Sequence, residues 1–310
     1  MWHWIEEFAR AVESSAVGLD LVSAREEAAA KVRAVLEEAE GIQTPTVEQE
    51  EAIYRLLDAC RVFMRDRRGI DTILTVESLY SFLVLADTPS WSSRVHEEAL
   101  KCVINSVYSR PDFVSETLLP KGFLTRLMEF ATHGGTTSLH WLVWKVLLVA
   151  CEAPEVSRHL SSSLETWQLI YATLFYGFKH GEQADIVVGS RATLHLDLIK
   201  LVAVLVNEIQ WTAEQEKRLP DIFRTVHQLG NLLLEILRFE HPDVSPLNDN
   251  LVELKNKAME VFMLLPGSLL AAFIQQQHME IADVKDGSLL APVLDHLHTM
   301  LLAVRIEKTR

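Results

Sequence analysis

The stretch Ile53-Tyr-Arg-Leu-Leu-Asp-Ala-Cys-Arg-Val-Phe63 indicates the fold class. Its apolar residues Ile53, Leu56, Leu57, Cys60 and Phe63 recur at intervals of three and four positions. This spacing places them on one face of an α-helix, whose period is about 3.6 residues. The segment is therefore predicted to be an amphipathic helix with one buried stripe.

The same helical spacing recurs along the chain, at residues 79–85, 99–107, 124–130, 139–149, 194–206, 222–237 and 258–265. The prolines all lie between these segments, and no run alternates apolar and polar residues as a half-buried strand does. Three patterns also indicate helix starts: Thr44-Pro45, Ser162-x-x-Glu165 and Thr212-x-x-Gln215. The fold class is therefore predicted to be all-α.

The spacing of helix pairs suggests a repeat architecture. Paired helices start near residues 46, 91, 138, 191, 247 and 289, in steps of about 42 to 56 residues, close to the ~40–47 of armadillo and HEAT units. Segments 139–149 and 198–206 are apolar almost all round, as the inner helices of a solenoid are, although a globular bundle buries such helices too. We predict an armadillo/HEAT-like α-solenoid superhelix over residues 44–310, preceded by an acidic N-terminal helical cap over residues 1–43.

Composition and charge exclude several classes of protein. Of 310 residues, 43 are acidic and 29 basic, and the net charge of −14 disfavours nucleic acid or an anionic membrane as the main partner. Three scattered cysteines do not form a disulfide or zinc pattern. The start of the chain lacks a secretory signal, and no apolar run reaches the ~20 residues that span a bilayer. We expect a cytoplasmic protein without a transmembrane segment.

The sequence carries none of the common catalytic motifs. A P-loop, a dinucleotide-binding glycine motif and a G-x-S-x-G elbow are all absent. The segment His96-Glu-Glu begins like a zinc-protease helix, but Leu100 stands where the second histidine would be. Asp295, His296 and His298 do not share one helix face, so a polar surface is favoured over a metal site. We expect no enzymatic activity, no cofactor and no metal.

A compact basic group stands out in this acidic chain, formed by Arg61, Arg65, Arg67 and Arg68. Arg61 and Arg65 are four positions apart, which predicts that both project from one helix face above a loop over residues 67–71. The group could neutralise the helix C-terminal dipole and nearby acidic residues, or it could bind a partner's carboxylate through bidentate guanidinium pairs. Spacing alone favours the first interpretation and leaves the second open.

Two asparagines lie inside otherwise apolar helices, Asn105 and Asn207. An unpaired amide in such a position is costly. Each side chain could cap a neighbouring turn, or it could bind the backbone of a peptide in the groove of a solenoid. The sequence leaves both interpretations open.

The basic group carries a resemblance to a known family. Arg61-Val-Phe-Met-Arg65-Asp-Arg67, followed by Asp71 and Ser78-Leu-Tyr80, resembles the R-x-x-x-R-D-R segment near the start of the synembryn family. Synembryns are armadillo/HEAT-like chaperones and guanine nucleotide exchange factors of heterotrimeric G-protein α subunits (Gα). The resemblance continues in order to the C-terminus, through the segments Glu98–Asn105, Leu139–Val156, Leu201–Asn207 and Lys257–Pro266.

The resemblance implies a function and a set of binding residues. In synembryns the groove of the solenoid receives the C-terminal helix of Gα, and Arg61, Arg65 and Asn105 match motif positions implied to contact its carboxylate-ended tail. Trp141 and Asn207 are carried over in the same way. The chain is then expected to be an exchange factor and folding chaperone, associated with membranes only peripherally and through Gα. The alternative is a non-catalytic α-solenoid scaffold that binds another helix or peptide.

Two features depart from the family pattern. Leu264 stands where the family has an asparagine just before Leu-Pro, which removes one polar position from the expected groove. Family members also continue beyond the position of Arg310 with further helical units and an acidic tail that holds the GTPase domain. We therefore expect the groove for the Gα tail to be retained, whereas exchange activity is the property that a short C-terminus would remove.

Overall fold

A computed structural model describes residues 2–13, 22–65, 67–115, 119–133, 137–180, 189–240, 244–245 and 248–265. No strand occurs within these ranges, so the predicted all-α class is confirmed. Their helices belong to one compact unit, Met1–Leu264. The predicted repeat beginning near residue 289 lies outside the described residues.

The helices are α1 (Trp2–Glu13), α2 (Val22–Glu40), α3 (Val47–Phe63), α4 (Arg67–Ile73), α5 (Val76–Asp87), α6 (Ser93–Ser109), α7 (Pro111–Phe113), α8 (Phe123–His133), α9 (Thr137–Ala150), α10 (Pro154–Ser161), α11 (Leu164–His180), α12 (Gly189–Glu208), α13 (Ala213–Arg218), α14 (Pro220–Arg238) and α15 (Asp249–Leu264). A 3₁₀ turn, Leu119–Lys121, precedes α8.

These helices pack in two layers. In the first layer each helix contacts the one before it, in the order α1, α3, α6, α9, α12 and α15. In the second layer α2 contacts α5, and α8, α11 and α14 follow one another. The second-layer helices α5, α8, α11 and α14 pack onto α6, α9, α12 and α15. Because each unit contacts mainly its neighbours in sequence, the packing is that of a solenoid-like array, as predicted.

Helices α3 and α6 run side by side in the same direction. Glu51 pairs with Arg94, the Leu57 carbonyl accepts a hydrogen bond from Cys102, and the Arg61 carbonyl accepts one from Asn105. The residues of these three pairs are 43, 45 and 44 positions apart. A nearly constant offset along both helices means that they are parallel, as equivalent helices of successive repeats are.

The first-layer helices begin close to the predicted starts of the repeat units. The expected starts near 46, 91, 138, 191 and 247 correspond to helices beginning at Val47, Ser93, Thr137, Gly189 and Asp249. The helix-pair spacing was therefore a sound guide to this layer. Helices α1 and α2, in the predicted cap, extend the two layers by packing against α3 and α5.

Side-chain caps fix several of these starts. The predicted Thr212 cap is confirmed, since its hydroxyl accepts a hydrogen bond from the Gln215 N–H. The cap of α3 is Thr46 rather than Thr44, and Thr46 forms a reciprocal capping box with Gln49. The cap of α11 is Ser163 rather than Ser162, because the chain between α10 and α11 turns one residue later than the pattern suggested.

The core contains the cysteines, as expected. Cys60, Cys102 and Cys151 are buried and unpaired. Burial raises the pKa of each thiol, that of Cys151 to about 12. The cysteines therefore act as small apolar residues between helices.

A histidine is buried where α11 meets α12. His195 of α12 is 2% exposed, and its ring lies against Gly177 of α11 so closely that a Cβ atom at Gly177 would overlap Nε2. Burial lowers the pKa of His195 to about 4, although the Arg191 carbonyl acts in the opposite direction. A glycine is thus required at position 177 for this layer contact to form.

Candidate partner-binding surface

The Arg61 guanidinium is held between two acidic side chains of its own protein. It donates hydrogen bonds to Glu98 of α6 and to Asp58 of α3. The Glu98 side chain is only 2% exposed and also pairs with Lys101, at 3.0 Å. Burial acts to lower the pKa of Arg61, but the pairs with Glu98 and Asp58 outweigh it and raise this pKa. Arg61 therefore neutralises a buried carboxylate at the α3–α6 contact.

Asn105 lies beside Arg61. Its Nδ2 donates a hydrogen bond to the Arg61 carbonyl at 3.1 Å, across the same α3–α6 contact. This carbonyl is in the last turn of α3, where backbone oxygens lack partners within the helix. Of the two interpretations of Asn105 from sequence, the structure shows the capping contact.

Arg65 is placed differently from the sequence prediction. Helix α3 ends at Phe63, so Arg65 lies two residues beyond the helix that carries Arg61. The residues after it form the short helix α4 rather than the predicted loop. The exposed Arg65 side chain lines an open cleft of about 630 Å³, together with Arg67, Asp71 and Arg110.

We call this cleft the first arginine cleft. It is lined by Arg65, Arg67, Ile70, Asp71, Ser109 and Arg110. A second arginine cleft, of about 400 Å³, adjoins it at Asp71 and is also lined by Arg25, Arg33 and Arg68. Among the described residues, the two clefts together gather six arginines against two acidic residues, Glu26 and Asp71. The clefts are therefore strongly basic within a protein of net charge −14.

Trp141 belongs to a second buried acidic contact. Its Nε1 donates to Asp197 of α12 at 2.9 Å, and Lys145 of α9 pairs with the same carboxylate at 3.1 Å. Asp197 is 2% exposed. The contact joins α9 to α12 much as the Arg61–Glu98 pair joins α3 to α6.

Asn207 is exposed in the last turn of α12. Unlike Trp141, it is not part of the buried contacts between the helices that the structure describes. Among the described residues, neither Trp141 nor Asn207 bonds to the Arg61–Asn105 pair. The structure thus brings Arg61 and Asn105 together, places Arg65 just beyond them, and leaves Trp141 and Asn207 on later helices of the same layer.

Sequence reasoning did not identify Glu98 and Asp197 as the partners that fix these side chains. Each is an acidic residue on the buried side of a largely apolar helix. That placement is a visible signal, because a buried carboxylate requires a cationic partner. The partners are 37 and 52 residues away in sequence, so the signal alone does not identify them.

Within the described residues, no group of three or more His, Cys, Asp or Glu side chains could hold a metal ion. The segment 295–298 lies outside them. In the same part of the chain, no single helix is long and apolar enough to span a membrane. Helices α4 and α5 together meet the length and composition criteria, but the chain bends by 86° between them.

Comparison with known proteins does not identify a family. No family model matches the chain. No curated protein matches it significantly.

Proposed function

We propose that this protein is a guanine nucleotide exchange factor and folding chaperone for heterotrimeric Gα subunits, and that it binds the Gα C-terminal helix along its first layer. One observation carries the proposal. Arg61 and Asn105 come from two motifs that resemble the synembryn family, and they meet across the α3–α6 contact, with Arg65 following just after the end of α3. The exposed guanidinium of Arg65 can pair with a terminal carboxylate.

Arg61 and Arg65 have different roles in this proposal. Two carboxylates already compensate the charge of Arg61, so Arg61 positions the end of α3. Arg65 is exposed and provides the cation that pairs with the Gα tail. Binding that holds the tail helix away from the rest of Gα favours the nucleotide-free state, and no covalent chemistry is needed.

The test measures binding and exchange together. The anisotropy of a fluorescent Gα C-terminal peptide gives the affinity, and release of a fluorescent nucleotide from intact Gα gives exchange. Arg65→Glu should weaken peptide binding about 30-fold or more, because a charge-assisted pair becomes a repulsion. Arg158→Glu on α10 is the matched control, since Arg158 is an exposed arginine away from α3 and α6.

Arg61 requires a conservative variant. Arg61→Glu would place a third carboxylate beside the buried Glu98 and destabilise the fold, so loss of binding would carry no information. Arg61→Lys retains the charge but loses the planar fork. Peptide affinity unchanged in Arg65→Glu would refute the site, and Gα binding without faster nucleotide release would leave a chaperone without exchange activity.

A second candidate function is the non-catalytic α-solenoid scaffold. It is favoured by the observation that Arg61, Asn105 and Trp141 all make hydrogen bonds within the protein. In a scaffold these residues would serve only the contacts between helices. Failure to bind any Gα subunit in the experiment above would make this the leading proposal.

A further inference from the structure

The two arginine clefts have a chemistry that goes beyond the proposed function, which uses only Arg65 of the residues that line them. Of the residues that the structure describes, six arginines and no lysine line them, and planar guanidinium groups match the geometry of phosphate oxygens. We infer that the adjoining clefts form a binding site for a soluble polyanion carrying two or more phosphate groups, of the inositol polyphosphate class.

One close backbone contact brings three of these arginines together. Gly69 of α4 lies against the Phe63 carbonyl at the end of α3, where a Cβ atom would overlap the backbone. This contact turns α4 back beside α3 and holds Arg67 and Arg68 near Arg65. Glycine is the residue that allows such an approach.

Acidic residues elsewhere in the protein neutralise other arginines much more closely. Arg55 pairs with both Glu6 and Glu51, and Arg61 pairs with both Asp58 and Glu98. In the clefts, by contrast, Arg33, Arg65 and Arg67 have no acidic side chain within ion-pair distance among the described residues.

Asp71 is the carboxylate that competes with a ligand for this basic surface. It pairs with Arg110 at 3.6 Å, and the two side chains are 53% and 40% exposed. A long, exposed pair of this kind contributes little, so it does not prevent an anion from displacing the carboxylate. An excess of positive charge therefore remains for a ligand.

The shape and charge of the protein favour a compact, soluble ligand. Each cleft is concave and has room for a phosphate group, and the two clefts share Asp71 as a wall. A ligand that reaches both must carry at least two phosphates. The net charge of −14 repels an extended anionic membrane, whereas a small polyanion experiences mainly the local arginines.

Isothermal titration calorimetry of the full chain with inositol hexakisphosphate in 150 mM salt tests the inference. Arg67→Gln/Arg68→Gln removes one exposed arginine from each cleft and should weaken binding about 30-fold. The charge-matched control is Arg158→Gln/Arg224→Gln, which changes exposed arginines on α10 and α14 and should leave the affinity unchanged.

The variant Asp71→Asn tests whether misfolding, rather than loss of charge, explains weaker binding. It removes the competing carboxylate and should strengthen binding about fivefold, a gain that a damaged fold does not produce. Inorganic phosphate should bind at least tenfold more weakly than the hexakisphosphate. Gα is absent from this assay, so its result is independent of the proposed exchange function.

Several results would overturn the inference. The inference is wrong if the protein does not bind inositol hexakisphosphate, or if the cleft and control variants lose affinity equally. It is also wrong if Asp71→Asn binds more weakly than wild type. Binding only to phosphoinositide vesicles would assign the clefts to a membrane, and binding only to a doubly phosphorylated peptide would assign them to a protein partner.

Discussion

The buried histidine makes a quantitative prediction about stability and pH. The pKa of His195 is about 4 in the folded protein, whereas an unfolded histidine titrates near 6.5. Between these values the unfolded chain binds a proton that the folded chain does not. Stability should therefore fall as the pH falls, and the contribution should be fully present only above about pH 6.5.

The size of the effect follows from the two pKa values. Each pKa unit corresponds to about 1.4 kcal/mol, so the complete loss is about 3 kcal/mol below pH 4 and about 2 kcal/mol by pH 5. Carboxylates and the partly buried His140 also titrate on acidification. Those groups are common to wild type and a His195 variant, so they cancel in the difference between the two.

The assay is urea unfolding followed by far-UV circular dichroism at pH 8, 7, 6 and 5. His195→Leu replaces the ring by an apolar side chain of similar size and removes the titration. Relative to this variant, the wild type should lose about 2 kcal/mol more unfolding free energy between pH 8 and pH 5. His159→Leu, at an exposed position on α10, controls for loss of a histidine as such.

Parallel stability curves for wild type and His195→Leu would refute the reasoning, because they would mean that the ring titrates alike in both states. A second variant tests the packing itself. Gly177→Ala should destabilise the wild type by about 2 kcal/mol through overlap with the ring and should cost clearly less in His195→Ala, where there is space.

Three further predictions concern other parts of the fold. Gly69→Ala should cost about 2 kcal/mol, seen as a lower thermal midpoint, because the new Cβ meets the Phe63 carbonyl; an unchanged midpoint would contradict the close contact. Asp197→Asn should cost about 2 kcal/mol in urea unfolding, since it leaves Lys145 without its anion, whereas Glu155→Gln at an exposed pair should cost little. The cysteines should react with a thiol reagent at pH 8 at least ~100-fold faster in unfolded than in native protein; comparable rates would contradict their burial.

The sequence was sufficient to predict the fold class and the approximate starts of the first-layer helices. Helical periodicity and proline placement report local preferences, and these decide where helices form in this chain. The predicted start near residue 191 illustrates the precision, since α12 begins at Gly189. The helix caps were predicted less exactly. The cap of α3 is Thr46 rather than the predicted Thr44, because neighbouring hydroxyls compete for the same role.

The site was predicted less completely. The four-residue spacing of Arg61 and Arg65 implied a common face only if the helix continued, and α3 ends between them. Gly69 packs against the Phe63 carbonyl at the end of α3, and periodicity does not encode such a contact between segments. Likewise, Glu98 is visible in the sequence, but its pairing with Arg61 is set by the parallel packing of α3 and α6.

The serial arrangement of helices within Met1–Leu264 has a mechanical consequence. When an optical trap pulls on two ends of such an array, every junction carries the same load, so the weakest one opens first. The α3–α6 and α9–α12 junctions are each reinforced by a buried carboxylate, Glu98 and Asp197. Extension should therefore proceed in discrete steps, and removing the cationic partner of either carboxylate should lower the force of the step that separates its junction.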